Sequence, residues 1–142
     1  METKKTANLW PHRDVLLVCE ESNYYNIIRE ILRPLKWVVL MPESDAQAAR
    51  ERMISKPFGA IIIVESRKIV ASEVMRVLFQ SDRGRLTPTL VITSYSDPLD
   101  LQIIQRIYNV SINTKPLIPI KLMTAFKEMI AFWEKPSMFA LR

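Results

Sequence analysis

Glu65 ends the most apolar run of the chain, Gly59-Ala-Ile-Ile-Ile-Val-Glu65. Such a run reads as a strand buried on both faces of a parallel sheet. In open α/β sheets, sites form just outside the carboxyl ends of the strands. The Glu65 carboxylate therefore stands where chemistry would be done. The same rule, applied to the other strand-like runs, gathers Cys19, Glu20, Thr93, Ser94 and Lys115 beside it. Several chemistries are excluded at once. One cysteine and one histidine, Cys19 and His12, cannot make an ordinary zinc site. A Ser-His-Asp arrangement would have to recruit His12 from an amino-terminal tail. The only glycines are Gly59 and Gly84, so no phosphate-cradling loop or dinucleotide fingerprint can be assembled.

The elements that would position this set follow from hydrophobic periodicity. Asp14 to Cys19 is a short apolar strand closed by Glu20 and Glu21. Ser22 is the expected cap of a helix with Ile27, Ile28, Ile31, Leu32 and Leu35 on its apolar face. Trp37 to Met41 reads as a second strand ended by Pro42, and Ser44 with Gln47 as a capping box for a helix to about Ser55. Ala46, Ala49 and Met53 form that helix's apolar face. After the central strand, a helix from about Ser72 to Gln80 is expected to bury Val74, Val77 and Leu78. Thr89 to Thr93 is the fourth strand, and Asp97-Pro98 a helix start. Val110 to Thr114 is a weaker fifth strand, and Pro119 opens a last helix carrying Leu122, Phe126, Met129, Ile130 and Trp133. Five strands alternating with five helices imply parallel pairing through right-handed crossovers. The expected fold is a flavodoxin-like (βα)5 three-layer sandwich of strand order 2-1-3-4-5. Residues 1–13 read as a tail, 14–134 as one domain, and 135–142 as a second tail or the start of a linker.

The totals fit one domain of 142 residues, enough to bury about two-thirds of its unfolded surface. Twenty Lys and Arg against 15 Asp and Glu give a net charge of +5. The basic residues are scattered, with Arg76, Arg83 and Arg85 the one loose cluster, and no aromatic platform is interleaved. Direct nucleic-acid binding is therefore not expected. The lone cysteine excludes an internal disulfide, and no apolar run reaches the length of a membrane span. The start lacks the roughly 7–15-residue apolar stretch of a signal peptide. A cytoplasmic protein is expected.

Over about residues 14–134 the chain resembles the receiver domain of two-component response regulators, in a degenerate form. The run TPTLVIT, a polar loop and helix, then SINTKP carry the most specific part of the likeness. The resemblance implies that Thr93 falls on the family's switch hydroxyl and Ile112 on the position that commonly holds a switch aromatic. It puts Lys115-Pro116 on a Lys-Pro whose peptide bond is usually cis. In an active receiver, an Asp at the end of the third strand accepts a phosphoryl group from a kinase phosphohistidine. That Asp and two acids after the first strand hold Mg2+, and the Lys neutralises the phosphoryl oxygens. Here Cys19 lies on the first acid and Glu20 on the second. Glu65 lies on the acceptor, or Val64 does if the register slips by one. Tyr108 replaces a small residue, and the Met-Pro pair that often follows the acceptor is missing from Ser66-Arg67-Lys68-Ile69.

Glu for Asp moves the carboxylate out by roughly 1.5 Å, and a misplacement of about 1 Å can cost on the order of a hundredfold in rate. A thiol in place of a carboxylate removes an oxygen that Mg2+ wants. The expectation is thus a phosphorylation-independent receiver without catalytic residues or cofactor, acting as a protein-docking module. Its pocket comprises Cys19, Glu20, Glu65, Thr93, Lys115 and Pro116, with Glu20 and Glu65 as residual metal candidates. Glu65 and Lys115 are expected to form an ion pair, which could imitate the phosphorylated state. The face made by the fourth helix, fifth strand and fifth helix, including Tyr95, Arg106 and parts of Ile118 to Trp133, is expected to meet a protein partner or a second copy. The alternative is a working phosphoacceptor in a phosphorelay, which would need Mg2+.

Overall fold

The computed structural model describes residues 14–36, 38–80, 86–94 and 110–131. Five strands form one sheet: β1 (Asp14–Val18), β2 (Val39–Glu43), β3 (Ala60–Val64), β4 (Thr89–Thr93) and β5 (Val110–Thr114). Their order is β2-β1-β3-β4-β5, and every pair is parallel. The expected order is thus the observed one, with the all-apolar β3 in the middle and every residue of it buried. Among the described residues the helices are α1 (Ser22–Leu32), α2 (Ala46–Ser55), α3 (Ala71–Met75) and α4 (Pro119–Ile130). The helix expected after Asp97-Pro98 lies outside the described residues, as do Tyr95, Arg106, Tyr108, Trp133 and both tails.

Side chains alternate across a strand, and the alternation divides the core in two. Val15, Leu17, Ile62, Val64 and Ile92 pack with Ile28 of α1 and Phe126 of α4 on one face. Leu16, Val18, Ile61, Ile63 and Val91 pack with Ala49 of α2 and Val74 of α3 on the other. The sheet is therefore covered on both sides, as a parallel sheet requires.

Five local expectations need correction. The second strand is Val39–Glu43 rather than Trp37 to Met41, and it includes Pro42. The Cys19 N–H donates to the Glu43 carbonyl at 2.9 Å, so the backbone groups of Val39, Met41 and Glu43 turn toward β1. Those of Leu40 and Pro42 turn outward from this edge strand, where a missing N–H costs no ladder bond. The outward Pro42 carbonyl accepts from Arg52 Nη1 at 3.0 Å.

Helix α1 starts at Ser22 itself, capped only by the backbone of Glu21, so Ser22 is no cap. Its residue Ile27 is 46% exposed rather than part of the apolar face. The cap of α2 is Asp45, whose Oδ2 accepts from the Ala48 N–H at 2.8 Å. Gln47 bonds Glu51 and Arg50 instead of closing a box with Ser44. Asp45→Ala is expected to destabilise the fold by about 1 kcal/mol in urea unfolding, whereas Ser44→Ala should change nothing measurable. Finally, α3 tightens into a 3-10 helix over Arg76–Gln80, in which Leu78 is buried and Val77 only half-buried.

Candidate functional site

The carboxyl ends of β1, β3 and β4 and the start of the β5–α4 turn do meet at one rim. There a cavity of about 490 Å3 is lined by Glu65, Ser66, Arg67, Val70, Ser94 and Lys115. Lys115 is fixed through its backbone, its N–H donating to the Thr93 carbonyl at 2.8 Å. The Lys115-Pro116 peptide bond is cis.

Among the described residues the Lys115 side chain pairs with no carboxylate, contrary to the expected ion pair with Glu65. Its Nζ donates to the backbone carbonyl of Glu65 at 2.8 Å and lies over the Tyr24 ring, 4.8 Å from the centroid. Both partners are neutral. A lysine over an aromatic face gains about 0.5–2 kcal/mol, depending on desolvation. The sequence analysis assigns no role to Tyr24; its place in the first turn of α1, directly after the β1 loop, is the signal that points to it.

The Glu65 carboxylate is used elsewhere. Its Oε2 accepts from the Ala71 N–H at 2.8 Å, at the amino terminus of α3. The physical reason is strand parity. Val64 is the last residue of β3 and packs on the α1–α4 face, and the next side chain turns to the other face, where α3 begins. An acid at a helix start meets unpaired N–H groups and the positive end of the helix dipole. A Gln side chain still offers an oxygen to Ala71. Glu65→Gln should therefore keep most of the stability that Glu65→Ala loses, about 1 kcal/mol by analogy with caps. Equal losses in the two variants, by urea titration, would mean that charge rather than capping holds Glu65.

The remaining positions are also engaged. Glu20 Oε1 accepts from Ser66 Oγ at 2.6 Å, which ties the loop after β1 to the loop after β3. Ser66 closes its own turn, its N–H donating to the Ile69 carbonyl at 3.0 Å. Thr93 is fully buried at the end of β4. Ile112 is half-buried on β5, and Pro116 is exposed beside it. Cys19 is buried, and its Sγ donates to the Glu21 carbonyl at 2.9 Å.

Burial pushes the Cys19 thiol above its ordinary value of 9.0, and the nearby Glu21 charge adds to this. The hydrogen bonds to backbone at Glu21 and Tyr25 and the charge of Lys115 oppose it. A thiol whose folded pKa is raised contributes stability that is complete below the unfolded pKa. That stability is lost as pH rises through the folded one. Unfolding free energy should therefore fall as pH is raised above about 9, and Cys19→Ala should flatten that part of the profile.

The resemblance implies Mg2+ at this rim, and the donors do not fit it. Mg2+ asks for near-octahedral oxygen ligation through one or two carboxylates. Cys19 offers sulfur, Val64 nothing, Glu65 is held on Ala71, and only Glu20 projects an acid. Among the described residues no three His, Cys, Asp or Glu side chains come together as a metal-holding group. No helix among them is long and apolar enough to cross a membrane.

No protein-family model matches the sequence, and no curated protein matches it at a significant level. Solved structures do match. The receiver domain of a signal-transduction histidine kinase from Syntrophus aciditrophicus superposes with a TM-score of 0.71 at 17% identity, over 86% of this chain and 92% of that one. A chemotaxis response regulator of Vibrio cholerae gives 0.70 at 17% identity, over 83% and 98%. The receiver domain of a Pseudomonas aeruginosa sensor histidine kinase, which holds magnesium in its active-site cleft, gives 0.69 at 18% identity, over 84% and 98%. The fold is therefore that of response-regulator receiver domains, the flavodoxin-like sandwich expected from the sequence.

Proposed function

We propose that this chain is an atypical receiver domain that signals without phosphorylation, as a protein-docking module with no catalytic step of its own. The observation that carries the reading is the state of Lys115. The cation that would neutralise a phosphoryl group is bonded to a backbone carbonyl and stacked on Tyr24. Both candidates for the acceptor support the same reading. Val64 has no side-chain oxygen and is 2% exposed, and the Glu65 carboxylate caps α3. A lysine without an acidic partner at the rim cannot imitate a phosphorylated aspartate by ion pairing, so the constitutive ion pair is set aside. What remains is a rim whose lysine is held by neutral groups and whose two acids are bonded to a hydroxyl and a backbone N–H.

Among the described residues the docking surface is made by β5 and α4. On its described part, Ile118 and Ile120 stand exposed at the start of α4, Ile120 by 74%. An apolar pair at a helix start, on a chain whose basic residues are scattered with no aromatic platform among them, fits a protein partner or a second copy better than nucleic acid. An amide NMR titration with Mg2+ and beryllofluoride tests the proposal. Glu20, Glu65, Thr93 and Lys115 should stay unmoved through millimolar additions. Saturable shifts at these positions would establish the alternative, a working phosphoacceptor in a phosphorelay.

A further inference from the structure

At the amino-terminal end of the sheet, away from the rim, α1 ends and β2 begins beside a cleft of about 400 Å3. Its apolar floor includes Leu32, Leu35 and Leu40, and Arg29, Arg33 and Lys36 stand around it. No acid lines it. Glu30 meets Arg33 at 3.5 Å, but both side chains are more than half exposed, at 56% and 74%. Such a pair contributes little and exchanges readily for another carboxylate. Arg29 lies over the Tyr25 ring at 5.4 Å, which holds its guanidinium near the cleft.

The backbone adds an independent element. β2 is an edge strand, and the peptide groups of Leu40 turn away from β1. Among the described residues nothing bonds them. Farther along, Pro42 lacks an N–H and its carbonyl is taken by Arg52. The open edge is therefore short and ends at Pro42. An unpaired strand edge is a template for an added strand.

We propose that this cleft docks an acidic, amphipathic peptide segment that lies extended along the start of β2. Its backbone would pair with Leu40, its apolar side chains would meet the leucine floor, and its carboxylates would meet Arg29, Arg33 and Lys36. The combination selects against nucleic acid, which has phosphates for the cations but no N–H and C=O repeat for a strand edge. The site is separate from the phosphoacceptor-like rim and stands or falls independently of it.

The test is an amide NMR titration of the full chain with a short acetylated peptide that alternates aspartate with valine and leucine. Saturable shifts are expected at Leu40, Arg29 and Arg33 and not at Ser66 or Lys115. Binding should weaken as salt is raised. It should be at least about tenfold weaker in the Arg29→Glu/Arg33→Glu double variant, whose surface positions leave the fold intact. Any of three results would overturn the proposal. One is no saturable shift at Leu40. Another is equal binding by the double variant. The third is occupation of the same residues by a single-stranded oligonucleotide, or by a second copy of this chain in the absence of peptide.

Discussion

Truncation of Phe126 to alanine should lower the unfolding free energy by about 3–5 kcal/mol in urea titration. Phe126 is fully buried, the largest such side chain of α4, and it joins that helix to β1, β3 and β4. Among the described residues no side chain on that side of the sheet is free to fill the space it leaves. Ile28 and Leu32 belong to α1, and Leu122, Met129 and Ile130 are already packed. The loss should thus include a cavity as well as a transfer contribution. A loss below about 1 kcal/mol would mean that α4 is not docked as described.

The second large effect distinguishes burial from residue type. Ile62→Ala, in the middle of β3, should cost about 2–5 kcal/mol. Ile62 is fully buried between Leu17 of β1 and Leu90 of β4, in register with both. Ile54→Ala and Ile120→Ala, at positions 70% and 74% exposed, should change stability by no more than about 0.5 kcal/mol. Ile120→Glu should be equally mild for folding while it abolishes docking of any partner that uses the start of α4. Comparable losses at Ile62 and Ile54 would contradict the assigned strand order.

The strand order was legible because β3 is apolar throughout and Pro119 marks a helix start without ambiguity. The cis Lys115-Pro116 bond followed from the family resemblance, not from periodicity. Boundaries were less legible. Asp45 and Ser44 are both good caps, and only the register of Ala46 onto the sheet decides between them. Pro42 looked like a strand end because its sequence does not show that it lies on an edge with its nitrogen outward.

The site was legible as a set of residues and not as a set of bonds. Glu65 and Lys115 do come to one rim, but a parity of one residue turns the carboxylate to α3 and leaves the lysine its backbone carbonyl. Charge complementarity in sequence favoured the ion pair. Helix α3, with unpaired N–H groups at its start, competed for the same carboxylate and won.

Lys115 is held by neutral groups, a backbone carbonyl and an aromatic ring. The most direct measurement is the chemical shift of the Lys115 ε-methylene protons by NMR, with and without Mg2+ and beryllofluoride. Protons near the face of Tyr24 should resonate clearly upfield of their usual position, return to it in Tyr24→Leu, and stay put when the two reagents are added. Protons at the ordinary lysine position in the wild-type chain, or protons that move saturably on addition, would contradict it.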